Sequence, residues 1–189
     1  MRNIVMGVVM VLSAVTPASA SVYRSQVRGS GVVATFTVTD GCFVTTGELA
    51  AVTTTTDGTS AIVSAQRTDN CAEGGPVSWF YLSGGPVSLS TNGVVTASVH
   101  GSIAMSPYSG PTGGDVTLDL WLAFRGTGAV DTTTSHYASH GDGSLTLSFS
   151  STRQRNATTT GFLKVDGAVG SVTSAQLVTS VQGELVVTH

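Results

Sequence analysis

The sequence carries little charge: only 10% of its 189 residues are Asp, Glu, Lys or Arg, with 8 basic residues against 11 acidic ones. The basic residues are scattered, and the nearest approach to a cluster is the pair Arg153 and Arg155. Binding of nucleic acid depends on clustered Lys and Arg that neutralise phosphates, so the composition argues against a nucleic-acid partner. Because 41% of the residues are hydrophobic, it also argues against disorder, and we expect a globular protein.

Long apolar runs are equally scarce. The one at the N terminus covers residues 4–15, about 12 residues where a membrane-spanning helix needs roughly 20. It follows Arg2 and precedes small residues that end at Ala20, which is the pattern of a secretory signal peptide. We therefore predict that residues 1–20 are a signal peptide and that residues 21–189 form a single secreted, extracellular domain without a membrane span.

Helical periodicity is missing after residue 20, whereas apolar and polar residues alternate in many segments. The clearest alternation runs through residues 115–124, where Thr117, Asp119 and Trp121 share the more polar face. The opposite face is predicted to be buried and consists of Val116, Leu118, Leu120, Leu122 and Phe124. Similar runs predict strands at residues 32–38, 48–52, 60–67, 77–82, 94–100, 144–150, 162–165 and 177–188.

Asx-Gly pairs separate many of these runs, and such pairs favour hairpin turns because both residues tolerate positive φ. They are Asp40-Gly41, Asp57-Gly58, Asn92-Gly93, Asp142-Gly143 and Asp166-Gly167. Strands joined by hairpins are antiparallel neighbours, so we predict an all-β, antiparallel two-sheet sandwich of about ten strands. A closed or partly closed β-barrel is the alternative. Residues 106–115, rich in Pro and Gly, are the predicted loop between the sheets.

The sequence has only two cysteines, Cys42 and Cys71, and two cysteines in an exported chain are more often paired than catalytic. A hairpin that turns near residues 56–57 pairs residues whose numbers sum to about 113, as those of the two cysteines do. We therefore predict a disulfide at the open end of this hairpin. The rival interpretations are a free nucleophile and a metal thiolate.

Residues 135–142 hold two histidines and a carboxylate, His136, His140 and Asp142. On a helix, the spacing of the histidines would place both imidazoles over one metal ion. The surrounding Ser, Gly and Asp residues favour strand and turn, where the two rings lie roughly 13 Å apart and cannot share an ion. A solvated polar loop is therefore favoured over a metal site, and no metal or cofactor is predicted.

Specific catalytic motifs are also missing from the sequence, which has no Gly-x-Ser-x-Gly elbow, no His-Glu-x-x-His and no glycine-rich phosphate loop. We assign no catalytic residue. A secreted hydrolase that uses His136 or His140 as its base is an alternative hypothesis.

Aromatic residues make up only 6% of the sequence, so their placement is informative. Trp121 falls on the polar face of its predicted strand, where an uncovered ring is available to stack on a sugar or on a partner protein. Trp79 and Tyr81 share one face of another predicted strand. Coverage of these rings by neighbouring segments of the protein is the favoured interpretation, and a stacking surface is the alternative. Trp121, Trp79 and Tyr81 are the candidate ligand-binding residues, with carbohydrate or protein as the expected partner.

Several short features are spread along the chain. They are Tyr23-Arg24-Ser25, a cysteine after an early strand, Gly126-Thr127-Gly128 at a strand end, a later histidine-containing stretch, and Gly183-Glu184-Leu185. Together they resemble a loose group of bacterial secreted all-β proteins with no known activity. The resemblance implies a fold class and no mechanism.

The favoured hypothesis is a non-enzymatic protein that acts outside the cell as a binding or surface-structural module. A pilin-like subunit of a surface fibre is a further alternative, because the length, the composition and the single disulfide resemble those of fimbrial pilins. Against it, residues 184–189 lack the penultimate tyrosine of that family.

Overall fold

The structure is a computed structural model that describes residues 21–110, 114–141 and 143–188. Every regular secondary-structure element in those residues is a β-strand. The eleven strands are β1 (Ser21–Asp40), β2 (Phe43–Thr54), β3 (Gly58–Asp69), β4 (Val77–Gly85), β5 (Ser88–Asn92), β6 (Thr96–Met105), β7 (Pro107–Ser109), β8 (Val116–Gly126), β9 (Asp131–Gly141), β10 (Ser144–Val165) and β11 (Ala168–Thr188). They pair antiparallel, so the predicted all-β antiparallel class is confirmed. Within this part of the chain, no helix is long and apolar enough to cross a membrane.

The strands form one continuous sheet in the order β5-β6-β8-β10-β11-β1-β2-β3-β4-β7, and β9 pairs with β10 beside this path. The two end strands, β5 and β7, are not paired with each other, so the described sheet is open. A closed β-barrel, the alternative considered from the sequence, is therefore wrong.

The buried core lies on one face of this sheet, which we call the inner face. Alternation places every second residue of β8 there, and Leu118, Leu120 and Leu122 are at most 3% exposed, as predicted. The same cluster contains Phe36 of β1 and Phe80 of β4. Strands far apart in the sheet order therefore share one core. Burial of a large apolar side chain stabilises the fold by about 1.5 to 3 kcal/mol, which makes this face the main stabilising feature.

Four of the predicted Asx-Gly pairs, all except Asp142-Gly143, lie where one strand ends and the next begins. Between β10 and β11, Asp166 and Gly167 have positive φ values of 52° and 87°, as a type I′ hairpin turn requires. The Asp166 carboxylate also accepts hydrogen bonds from the Thr117 backbone N–H (2.8 Å) and from Arg67 (2.9 Å). Arg67 lies on β3, so this ion pair joins β3 to the turn between β10 and β11. Neither of those two strands is a neighbour of β3 in the sheet. Asp142 lies outside the described residues.

The predicted disulfide between Cys42 and Cys71 is confirmed, with 5.3 Å between the two Cα atoms. It closes the open end of the β2–β3 hairpin. Asn70 donates its N–H to the Cys42 carbonyl (2.8 Å), and the Asp69 carboxylate holds the following turn by accepting from the Cys71 N–H (2.9 Å). Because both sulfurs are in the disulfide, a free nucleophile and a metal thiolate at these cysteines are wrong.

Three segments differ from the predictions. Residues 106–115, predicted as a loop, contain β7, which pairs with β4, and residues 111–113 lie outside the described part. The runs at 144–150 and 162–165 belong to one strand, β10. The histidine segment, predicted as strand and turn within a solvated polar loop, belongs to the eleven-residue strand β9 at an edge of the sheet. Side-chain polarity is a poor guide there, because an edge strand pairs through its backbone while its side chains stay in solvent.

Strands β1, β10 and β11 are long because they continue past the core into a second region. Residues 21–28, 178–188 and 144–154 of these strands, together with β9, form a four-stranded sheet that we call the extension. We call the rest of the sheet the body. On the inner face, large apolar side chains are more exposed in the extension: Phe149 is 39% exposed, whereas Phe124 in the body is 2% exposed.

Candidate ligand-binding site

Trp121 lies in the middle of β8 on the outer face of the body. Its neighbours Leu120 and Leu122 are buried on the inner face, so the alternation of the strand turns Trp121 outward. The residue is 64% exposed. Its indole ring is therefore open to solvent.

Two further aromatic rings stand beside Trp121 on the neighbouring strands. The register places His100 of β6 and Phe162 of β10 directly opposite it, one on each side. Directly paired residues share a face of the sheet. The ring centroids of His100 and Trp121 are 5.7 Å apart, with 33° between the ring planes, and Phe162 is 41% exposed. We call these three residues the aromatic row.

Charged side chains border the aromatic row at one end. Asp119 and Lys164 are paired in the register, one step along the outer face from Trp121 and Phe162. The Lys164 ammonium lies 5.1 Å from the centre of the Phe162 ring, within the range of a cation–π contact. These side chains and the aromatic row line an open cavity of about 370 Å³. A hydrogen-bond acceptor, Asp119, and a donor, Lys164, therefore lie beside the exposed aromatic rings.

The close approach of β10 to β8 at this point depends on Gly161. This residue pairs with Leu122 and has a φ of 109°, a conformation that favours glycine. A Cβ atom at this position would overlap the carbonyl oxygen of Trp121. Glycine therefore allows β10 to pair closely enough to set Phe162 beside Trp121.

Trp79 and Tyr81 form a separate exposed pair on β4, where they are 43% and 56% exposed. Strands β4 and β8 are not neighbours, and neither residue lines the cavity beside Trp121. The structure therefore does not bring the three sequence-based candidates together. It adds His100 and Phe162, which the sequence analysis missed because their place beside Trp121 depends on the register across three strands.

His136 and His140 lie on β9 in the extension and outside the aromatic row. Because β9 is extended, four residues separate their backbones by roughly 13 Å, too far for both rings to share one ion. Their cross-strand neighbours on β10 are Phe149 and Leu145, neither of which is a metal ligand or a nucleophile. Asp142, the third metal candidate, lies outside the described residues.

A larger cavity, of about 740 Å³, lies on the extension. His136 lines it, and the other charged and large apolar lining residues are Arg24, Glu184, Leu147, Phe149, Tyr137 and Leu185. No sequence pattern predicts this site, because its residues come from four separate segments of the chain.

Comparison with known proteins adds no relative, because the chain matches no family model, no curated protein and no solved structure. The resemblance to bacterial secreted all-β proteins therefore stays a prediction.

Proposed function

We propose that this protein is an exported, non-enzymatic binding module that holds a carbohydrate on the aromatic row. The observation that carries the proposal is the solvent-exposed Trp121, flanked on both sides by rings on the same face of the sheet.

The chemistry of the aromatic row fits a sugar. One face of a sugar ring presents C–H groups that pack on aromatic rings, whereas its hydroxyl groups need hydrogen-bond partners at the edge. Trp121 and Phe162 supply the apolar floor, and Asp119 and Lys164 supply an acceptor and a donor beside it. Both charge signs border the site, which suits a polyhydroxylated ligand better than a strongly charged one.

Two observations support the wider setting of the proposal. The Cys42–Cys71 disulfide is consistent with export through the predicted signal peptide, residues 1–20, because disulfides persist in oxidising compartments. For the fold, we propose a two-sheet sandwich. It is supported by the Ser30–Thr91 hydrogen bond (2.7 Å) between β1 and β5, which are not neighbours in the sheet.

A glycan array followed by calorimetric titration of the retained glycan tests the proposal. Trp121→Ala should weaken binding at least about tenfold, because truncation of a central stacking ring removes the main apolar contact. Trp79→Ala is the matched control, since it removes an exposed tryptophan from another strand. The proposal is wrong if no glycan is retained, or if the two variants lose affinity equally.

A second candidate, the pilin-like subunit, is favoured by the edges of the extension. Residues 21–27 of β1 pair with β11 alone, and β9 pairs with β10 alone among the described strands. Unpaired edges are able to accept a strand from another copy, and head-to-tail pairing produces a fibre. Size-exclusion chromatography over a range of concentrations tests this candidate, and a monomer at every concentration would exclude it.

A further inference from the structure

The inner face of the sheet continues beyond the core into the extension. Along β1, the buried Val32 and Ala34 are followed outward by Ser30, Arg28, Gln26 and Arg24 on the same face. Ser30 still meets Thr91 of β5 through its hydroxyl group. Beyond this contact, the inner-face side chains of the extension are half-buried or exposed. The extension therefore presents to solvent the same face that the body buries.

This uncovered face has an apolar centre. Leu147 of β10 pairs with Leu185 of β11, and the neighbouring Phe149 pairs with Gly183. The Phe149 ring lies over Gly183, where a Cβ atom would overlap it. The cavity of about 740 Å³ lies on this centre, and its volume is within the range of small-molecule sites.

Arginine side chains supply the positive charge on the inner face of the extension. Arg24, Arg28 and Arg153 are exposed on the inner face, and His136 lies on the same face of β9. The carboxylates in the described part of the extension are Asp131 and Glu184, and both alternate onto the opposite face, although Glu184 also lines the cavity. Three arginines thus share one face of the extension, and Arg24 is the one that lines the cavity.

We propose that the inner face of the extension binds a single anionic amphiphile, with its chain on Leu147, Phe149 and Leu185 and its acidic head group at Arg24. The apolar centre selects the chain, and charge complementarity selects the head group. A second copy of the protein is a poor occupant, because two such faces would bring arginines against arginines. The concave cavity fits one molecule better than the plane of a bilayer. This site is independent of the aromatic row.

Three probes that share a ten-carbon chain test the proposal by calorimetric titration, each below its micelle concentration: decanoate, decyl glucoside and decyltrimethylammonium. Decanoate should bind, and the neutral and cationic probes should bind at least about fivefold more weakly. Absence of decanoate binding, or equal binding of the three probes, overturns the proposal.

Paired substitutions at Ala138 locate the site and test the role of charge. Ala138 is exposed on β9 and lines the cavity, so a longer side chain fits there without removing a packed group. Ala138→Glu should weaken decanoate binding about fivefold, and Ala138→Lys should not weaken it. Equal effects of the two variants would overturn the charge argument. Arg24→Gln should also weaken binding, whereas Arg125→Gln on β8 is the control without effect.

Vesicles distinguish a free amphiphile from a membrane surface. The protein is sedimented with phosphatidylglycerol vesicles and, separately, with phosphatidylcholine vesicles. We expect decanoate to bind and the protein to remain in the supernatant with both. Co-sedimentation with phosphatidylglycerol vesicles without binding of decanoate would identify a bilayer as the occupant and overturn the proposal.

Discussion

The body and the extension share three strands, yet only the body has a core. In the body, Phe36 and Leu177 are buried, because apolar side chains from distant strands pack over them. In the extension, the same strands continue with the same alternation, but Leu147 and Leu185 are only half-buried. Backbone pairing is therefore enough to prolong a sheet, whereas burial needs a second set of side chains over the face. The uncovered face is where a ligand or partner has room to bind.

The largest expected effect comes from the same substitution made in the two regions. Leu120→Ala should lower the free energy of unfolding by about 2 to 5 kcal/mol, because the side chain is fully packed and its loss leaves a cavity. Leu147→Ala in the extension should cost less than about 1 kcal/mol, since water replaces part of a half-buried side chain. Urea unfolding measures both values. Equal costs would show that the extension is covered in solution, and a cost below 1 kcal/mol at Leu120 would contradict its place in the core.

The disulfide should stabilise the body and leave the extension unchanged. Replacing Cys42 and Cys71 together by alanine removes a cross-link worth up to about 3 to 4 kcal/mol on the chain-entropy model, an upper value because the hairpin turn already holds β2 and β3 together. Amide hydrogen exchange in β9 should be the same with and without the cross-link. Labelling of the unreduced protein with a thiol reagent should find no free cysteine, and two reactive thiols would contradict the pairing.

A smaller effect is expected from the ion pair within the body. Asp166→Asn keeps a residue that tolerates positive φ and keeps an acceptor for the Thr117 N–H, but removes the charge that faces Arg67. Because the pair is partly exposed, its loss should cost about 1 kcal/mol, and less at high salt. Glu184→Gln, an exposed carboxylate of the extension, is the control and should change stability by less than about 0.5 kcal/mol. An equal cost at both positions would mean that the ion pair adds nothing specific.

Most of the strands were predictable from the sequence, including residues 144–150 and 177–188, whereas the division of the sheet into body and extension was not. The alternation of Leu118, Leu120 and Leu122 predicts the strand because one of its faces is fully buried. The Asx-Gly pairs predict the hairpin turns because a turn depends on the backbone conformation of those two residues alone. The polar segment around His136 pairs as an edge strand, which side-chain patterns do not report. The aromatic row was predictable only at Trp121, because the other two rings reach it through long-range register.

The smallest effect, in fluorescence, tests whether the body too leaves a face open. Trp121 is 64% exposed and Trp79 is 43% exposed, so the two tryptophans should differ modestly in their access to solvent. In Trp79→Phe, emission comes from Trp121 alone and should be red-shifted and readily quenched by acrylamide. In Trp121→Phe, emission comes from Trp79 and should be quenched less, because more of that side chain is packed. A blue-shifted, quencher-resistant Trp121 would show that another segment covers the aromatic row. The inner face of the extension would then remain as the candidate binding surface, and the carbohydrate proposal would be withdrawn.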